Sequence, residues 1–458
     1  MRPPVEEGYA MQMPGTPHTR LSRRGLLRGV AAAGAAAALS GCSSEVLSGL
    51  TASRETAGSL EFWNLFGGGD GVRMQQMLET YQNANPQVDL SAVTLAWGNP
   101  YYTKLSLATI GDKPPDVAIS HLTRMKNLVE ADLLQELDPA VLARNGLGPD
   151  RFTARTWQAG LVDGRAYSIP LDTHPFVMFY NTDVCEKAGL LDGDGALAPL
   201  DSPEAFTDAM RRAKDVTGAY GGVVAFISET ATPWRIFQSF YSQLGGQVIA
   251  DQGREVVIDD AKATEVLTFL RSLTADGLFP SAADYQGSIA MFAEGQAGFF
   301  FQGEWEISTF QTAKTPFSMT LVPHLYREGP YAVQADSHTF VLPRHPDDSP
   351  ERVDRALGFV ASMLDQSKTW AEGGHVPSWQ PFLESAGYRE MKPQSNYASA
   401  AEAAAYDAEG WYSGSGSNFE IVMGSAVGGV MNGQVAPAAA VRQMRSTLSG
   451  LARTPSPI

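Results

Sequence analysis

GRAYSIPLDTHPFVMFYNTD, running from Gly164 to Asp183, decides how the rest of the chain is organised. Asp163-Gly164 reads as a turn, and a strand follows through Ile169. The polar insert Asp172, Thr173, His174 and Pro175 interrupts it, and a second strand runs through Tyr180. A fully buried strand does not carry an Asp, a Thr and a His in its middle unless that segment faces solvent, a partner or a ligand. The stretch is therefore expected to be a crossing point between two lobes, with Asp172 and His174 available to hold a bound molecule.

Length agrees with that division. At 458 residues the chain is too long for one ordinary core, and 44% hydrophobic with 10% aromatic residues describes a globular protein. The formal charge is −16. Residues 1–41 hold five arginines and two glutamates, so removing them leaves 29 basic and 48 acidic residues, a net of −19. Nucleic acid is excluded as a partner on this ground, because phosphate binding needs a basic footprint. The cysteines are two, Cys42 and Cys185, and no internal disulfide is expected if the first is modified.

The N-terminus reads as a processing segment. TRLSRRGLLRG, Thr19 to Gly29, places paired arginines before an apolar run and resembles a twin-arginine export signal, although paired arginines also occur in general secretory signals. Gly29 to Gly41 is uncharged and Ala-rich, too short to span a bilayer but suited to a signal h-region. It ends in Leu39-Ser40-Gly41-Cys42, which looks like a bacterial lipobox. Residues 1–41 are thus expected to be a cleaved signal and Cys42 a lipidated first residue. Residues 42–58 would form a flexible tether to the outer face of the cell membrane.

Past the tether the pattern alternates between strand and helix. Leu60 to Trp63 reads as a strand, Gly67-Gly68-Gly69-Asp70 as a loop, and Met74, Met77, Leu78 and Tyr81 as one face of a helix that Asn85-Pro86 stops. Asp70 is placed to cap that helix and, in addition, to hold a ligand hydroxyl. The glycine run is neither a P-loop nor a dinucleotide fingerprint, since no GK[ST] follows and G-x-G-x-x-G is lacking. After a strand at Val117 to Ile119 come His121 and Arg124, at the carboxyl end of a strand, where α/β sheets bind ligands. The seven histidines are scattered without Cys/His spacing, so no metal is expected, and no cofactor either. No nucleophile elbow or triad order is present.

Several motifs in order resemble one family. GRAYSIPLD followed by FYNTDVCEKAGL is similar to the domain-crossing segment of the extracellular solute-binding proteins of ABC importers, the branch that takes maltose, trehalose and other sugars. Trp97 to Leu105 and Gly111 to Val117 resemble its W-x-x-Y-x-x-K-L and G-x-x-P-D-V pair, and Phe292 to Trp305 its F-x-x-G-x-A-A-M-x-x-x-G-x-W. The resemblance implies an α/β, two-lobe periplasmic-binding-protein-like fold. Each lobe would be a mixed, mostly parallel sheet flanked by helices, the two joined by a hinge of crossing strands. The lobes would comprise residues 59–171 plus about 335–375, and 172–334 plus about 376–458. It also implies that Trp305 stacks on the ligand and that Trp234 lies on an aromatic helix facing the cleft. Trp411 sits in a loop, where an aromatic ring is either a lid or ordinary packing.

The function implied is capture of a mono- or oligosaccharide between the lobes and its delivery to the membrane subunits of an ABC permease by a monomeric, non-enzymatic receptor. Asp70, Asp172, His174 and Arg124 would pair with hydroxyls, and tryptophans would stack on sugar faces. A receptor for a glycerol phosphate, a polyamine or a peptide is the alternative within binding proteins. A glycoside hydrolase using Asp70 and Asp172 as acid and base is the alternative from another class.

Overall fold

The computed structural model describes residues 58–456; the expected signal at 1–41, Cys42 and the tether up to residue 57 lie outside the described residues. The first lobe is built by strand-helix-strand units. Strand β1, Ser59–Asn64, leads into the helix Gly68–Ala84, and β2, Asp89–Thr94, pairs parallel to β1 from Ser59↔Asp89. The helix Asn99–Ile110 then returns the chain to β3, Val117–His121, on the other side of β1. Met74, Met77, Leu78 and Tyr81 bury one face of the first helix, as the spacing predicts. Each such side chain stabilises the core by about 1.5–3 kcal/mol.

Helix Gly68–Ala84 is capped three residues earlier than the sequence suggests. Gly67 occupies the cap, and Asp70 lies inside the first turn with no capping hydrogen bond. Asp116, at the turn before β3, is a structural residue: its Oδ2 accepts from the Glu61 amide (2.8 Å) and its Oδ1 lies 3.3 Å from Arg352 Nη1.

The crossing stretch differs from its reading as two strands around a polar insert. After the short β4, Ile169–Pro170, a single strand β5 spans Asp172–Asn181, and all ten of its residues are buried. Its second half lies in the second lobe, where β6 is Tyr220–Val223, β7 is Ala297–Gly303 and β8 is Phe317–Leu321. Phe176 to Tyr180 pairs antiparallel with β7, and Val177 to Asn181 with β8. Its first half is paired by chain from the other two passages between the lobes. Strand β9, Val333–Asp336, takes His174 and Pro175, and after β10, His338–Val341, the short β11, Val376–Pro377, takes Asp172 and Thr173. Partners change between Pro175 and Phe176, so the residue without an N–H falls where one ladder gives way to the next.

Two sheets result. The first lobe has the order β2-β1-β3-β10-β4; the second, with β12 at Ala404–Ala405, has β12-β9-β5-β7-β6, with β8 and β11 also on β5. Pairing is mixed in both. It is parallel on the outer side of each sheet and antiparallel at β5, β9 and β10, the strands that carry the chain from one lobe to the other.

Each lobe has its own apolar core. One contains Leu60 to Leu171, then Phe340 to Trp370 and Trp379. The other contains Phe176 to Val333, Val376, and Tyr397 to Leu448. The chain therefore passes between them at 171–176, at 333–340 and in the region 370–397. Cys185 is a buried free thiol, pushed up to about 12 by burial. Among the described residues no helix is long and apolar enough to cross a membrane.

Candidate functional site

A cavity of about 480 Å³ opens between the two cores. The first lobe contributes Phe66, the backbone of Gly67 to Gly69, Asp70, Trp97 and His121, all at the carboxyl ends of β1 to β3 or just beyond. From the second lobe come Glu229, Arg235, Tyr285, Trp305, Glu306 and Thr309, and from the crossings His174 and His338. The volume lies within the range of small-molecule sites, and the lining mixes aromatic rings with charged and amide groups.

Trp305 is held from several sides. Its Nε1–H donates to Tyr285 Oη (2.9 Å), whose own hydroxyl donates to Glu306 Oε1 (2.6 Å). The Arg235 guanidinium lies over the ring, 5.0 Å from its centroid. On the backbone side the ring packs against Gly303, where a Cβ would meet the indole at 2.0 Å, so a larger residue there would displace the tryptophan. Burial pushes Glu306 up, offset by the Tyr285 and Thr309 hydrogen bonds.

Beneath the cavity the crossings carry a buried polar cluster centred on Asp172, which is 0% exposed. Its Oδ2 accepts from Trp370 Nε1–H (2.6 Å) and lies 2.8 Å from His338 Nδ1; its Oδ1 accepts from the His338 amide (2.9 Å) and lies 3.1 Å from His174 Nδ1. Burial alone would raise its pKa, but the His338 and His375 imidazoles and the hydrogen bonds from His174 and His338 outweigh it and hold the carboxyl well below its usual range. Burial and the neighbouring His338 push His174 down to about 3, against the opposing pull of Asp172. That leaves His174 neutral with its proton on Nδ1, since an ionised carboxylate only accepts. His121 is likewise pushed well below its usual value, by burial first and then by His338 and His174. His375 behaves oppositely: burial disfavours its charge, yet Asp70 and Asp172 outweigh that and raise it well above the ordinary value.

Of the residues singled out in the sequence, Asp70, His121, His174 and Trp305 line the cavity. Asp172 does not; it lies sealed below, with both oxygens engaged, which removes it from any acid-base pair flanking a bound glycoside. Arg124 lies outside the lining too. Its guanidinium packs 4.4 Å over the Tyr102 ring and reaches Asn99 Oδ1 and the Ser415 carbonyl (3.3 Å each), bracing the first lobe against a loop of the second. Trp234 is 1% exposed, and its Nε1–H donates to Asp407 Oδ1 (2.8 Å) on the far side of the helix Ala231–Gln243, toward a separate cavity of about 360 Å³. The same helix turns the next residue, Arg235, to the cleft. Trp411 packs edge-on against Tyr412 and donates to the Thr454 carbonyl (3.2 Å), away from the cavity lining. The histidines that are scattered in sequence are not scattered in space: His174, His338 and His375 gather around Asp172.

Behind Arg235 lie two buried carboxyls. Glu420 Oε1 is 3.6 Å from Arg235 Nη2, and Asp407 accepts from Trp234. Burial pushes Asp407 up to about 7, offset by the Trp234 bond and Arg235, and Glu420 up to about 7, offset mainly by Arg235. Their ordinary values are 3.8 and 4.5, so between about pH 4 and 7 the folded protein holds protons that the unfolded chain has released. The stability they contribute is present below pH 4 and lost as pH rises through 7. The double variant Asp407→Asn, Glu420→Gln is expected to flatten the decline of the thermal midpoint between pH 5 and 8. A slope equal to that of the parent protein would show that neither group titrates late.

The geometry agrees with what similarity to known proteins shows. The sequence profile of the bacterial extracellular solute-binding protein family matches residues 68–362. The maltodextrin-binding protein MdxE of Bacillus subtilis (strain 168) is 20% identical over 274 residues, covering 58% of this chain and 60% of that protein. The arabinooligosaccharide-binding protein of the same organism is 27% identical over 246 residues, 52% and 51% of the two chains. The matches thus span about half to three-fifths of those relatives. Among solved structures, the GacH receptor of Streptomyces glaucescens GLA.O, described unliganded and with acarbose, superposes with a TM-score of 0.71 at 17% identity over 87% of this chain and 99% of that one. The maltose-bound MalE3 of T. maritima gives 0.70 at 18% over 86% and 99%. The two-lobe fold is shared with these solved structures, and this chain belongs to the bacterial extracellular solute-binding protein family.

Proposed function

We propose that this protein is the extracytoplasmic receptor of an ABC importer, tethered through a lipid on Cys42, and that it captures an oligosaccharide in the interlobe cavity for delivery to the permease. One observation carries the reading. Trp305, Trp97, Tyr285 and Phe66 border the same cavity as Asp70, Glu229, Arg235, Glu306, His174 and His338. A pyranose presents apolar C–H faces and a rim of hydroxyls, and so needs both kinds of surface within one small volume. The names of the relatives point the same way, to maltodextrin, arabinooligosaccharide and acarbose. Asp70 would accept from a hydroxyl, Arg235 would donate, and closing of the lobes would exclude water and strengthen each contact. The reading needs no catalytic step.

Calorimetric titration of the purified chain with maltose, maltotriose, arabinotriose and acarbose tests it. At least one is expected to bind with micromolar or tighter affinity and to change tryptophan emission, because Trp305 and Trp97 border the cavity. Silence across the sugars together with binding of spermidine, glycerol 3-phosphate or a short peptide would replace the sugar by that class. Turnover of an aryl glycoside would overturn the receptor reading altogether.

A further inference from the structure

The three passages between the lobes bring together four side chains whose arrangement goes beyond solute capture. Asp172 and His174 come from the first passage, His338 from the second and His375 from the third. All four are buried, and one ligand atom from each lies within 4.8 Å of the others. We propose that Asp172, His174, His338 and His375 bind one divalent transition-metal ion of the zinc class beneath the solute cavity.

The donor set is the first argument. Three imidazoles and one carboxylate suit zinc, which takes nitrogen and oxygen ligands at about 2.0–2.1 Å in a tetrahedron whose corners lie roughly 3.3 Å apart. Asp172 Oδ2 is 2.8 Å from His338 Nδ1 and 3.3 Å from His375 Nδ1, while Asp172 Oδ1 is 3.1 Å from His174 Nδ1, whose proton would pass to Nε2 on coordination. Each of the three nitrogens thus lies 2.8–3.3 Å from one of the two Asp172 oxygens, and with the four ligand atoms within 4.8 Å of one another binding would draw the set inward.

Unmatched polar atoms are the second. His375 Nδ1 lies 3.0 Å from Glu304 Oε1 and 3.3 Å from Asp172 Oδ2, yet it makes an aligned hydrogen bond with neither. Both oxygens of Glu304, a side chain that is 0% exposed, also lack a hydrogen-bond partner. Buried polar atoms left this way are costly unless something further occupies the space they face. A cation there would replace the proton on His375 Nδ1, which leaves to solvent, and would supply the positive charge that three carboxylates, Asp70, Asp172 and Glu304, converge on.

Support around the four residues is the third. The other nitrogen of His375, Nε2, lies 3.0 Å from Asp70 Oδ1, the carboxylate-histidine pairing that orients an imidazole toward a metal. Trp370 stacks on His375 with centroids 4.3 Å apart and donates to Asp172, and Phe66 packs edge-on against His338 at 4.8 Å. The ion would tie together the segments about which the lobes hinge, so occupancy should stiffen the fold.

The purified full chain, stripped with a chelator and dialysed free of it, is titrated with ZnCl2 by calorimetry and with CoCl2 by visible absorption. One zinc equivalent with a sub-micromolar Kd, a higher thermal midpoint and the intense visible bands of four-coordinate cobalt are expected. His375→Ala and His338→Ala should weaken binding by about 100-fold or more, and Asp70→Asn by about 10–100-fold, as an orienting carboxylate does. His345→Ala, on the loop before the helix Pro350–Leu364, should leave it unchanged. No stoichiometric binding, a pale six-coordinate cobalt spectrum, or an affinity untouched by His375→Ala would overturn the proposal. If the histidine variants do not fold, the cobalt spectrum of the parent chain decides alone. None of these readouts involves a sugar, so failure here leaves the solute reading standing, and failure of that reading leaves this one.

Discussion

Asp172→Ala is expected to destabilise the metal-free protein by about 3–5 kcal/mol, the largest effect of any single substitution considered. The carboxylate accepts from Trp370 Nε1–H and the His338 amide and pairs with the Nδ1 atoms of His174 and His338. Alanine leaves all of these without an acceptor in a place that water does not reach, and each orphaned donor costs about 1–3 kcal/mol before any relaxation. It also leaves the raised charge of His375 with Asp70 as its remaining aligned partner. Asp172→Asn separates two contributions. The amide oxygen can still accept from Trp370 or from the His338 amide, so recovery of part of the loss would measure the hydrogen bonds, and the remainder the charge. Urea unfolding of chelator-stripped protein, followed by tryptophan emission, gives the comparison. A loss under 1 kcal/mol in the alanine variant would mean that the cluster is hydrated rather than dry. The same experiment asks whether the crossing is a stabilising joint or a place where polarity was kept at the expense of stability.

That crossing also shows where sequence reasoning reaches and where it stops. The helix Gly68–Ala84 is legible because Met74, Met77, Leu78 and Tyr81 recur at helical spacing, and periodicity is a local property. The motif around Gly303 and Trp305 is legible for the same reason: the ring position depends on a glycine two residues away. Strand β5 is not. An Asp, a Thr and a His in a fully buried strand argue for an insert only while their partners are unknown. Those partners, Trp370, His338 and His375, lie more than 150 residues further on and arrive through the other two passages. Trp234 and Arg235 show a second limit. Twelve of the thirteen residues of the helix Ala231–Gln243 are buried, so no polar face marks which side looks into the cavity. The sequence favours the aromatic residue; the fold turns the cation outward to the cleft. The histidine cluster is illegible for the first reason, since its members have no common spacing and come from three separate segments.

Trp305→Ala is expected to weaken sugar binding by about 10–100-fold while leaving the fold intact, which corresponds to about 1.4–2.8 kcal/mol. The ring is half-buried at the cavity wall, fixed by its bond to Tyr285 and by packing on Gly303, so a ligand meets a surface already in place and little ordering entropy is spent on it. Its removal takes away the apolar face, frees the Arg235 guanidinium that lies over it, and leaves the Tyr285–Glu306 pair without its donor. Trp305→Phe keeps the face and loses the N–H, and should recover most of the affinity if stacking is the larger part. Trp97, 43% exposed at the edge of the same cavity, has less of its surface held in place, and Trp97→Ala should cost under tenfold. Calorimetry rather than emission must provide the affinities, because each substitution also removes a fluorophore. Equal affinities for the parent chain and Trp305→Ala would move the sugar out of this cavity, whereas equal losses for Trp305→Ala and Trp305→Phe would assign the contribution to the indole N–H and the Tyr285–Glu306 chain behind it.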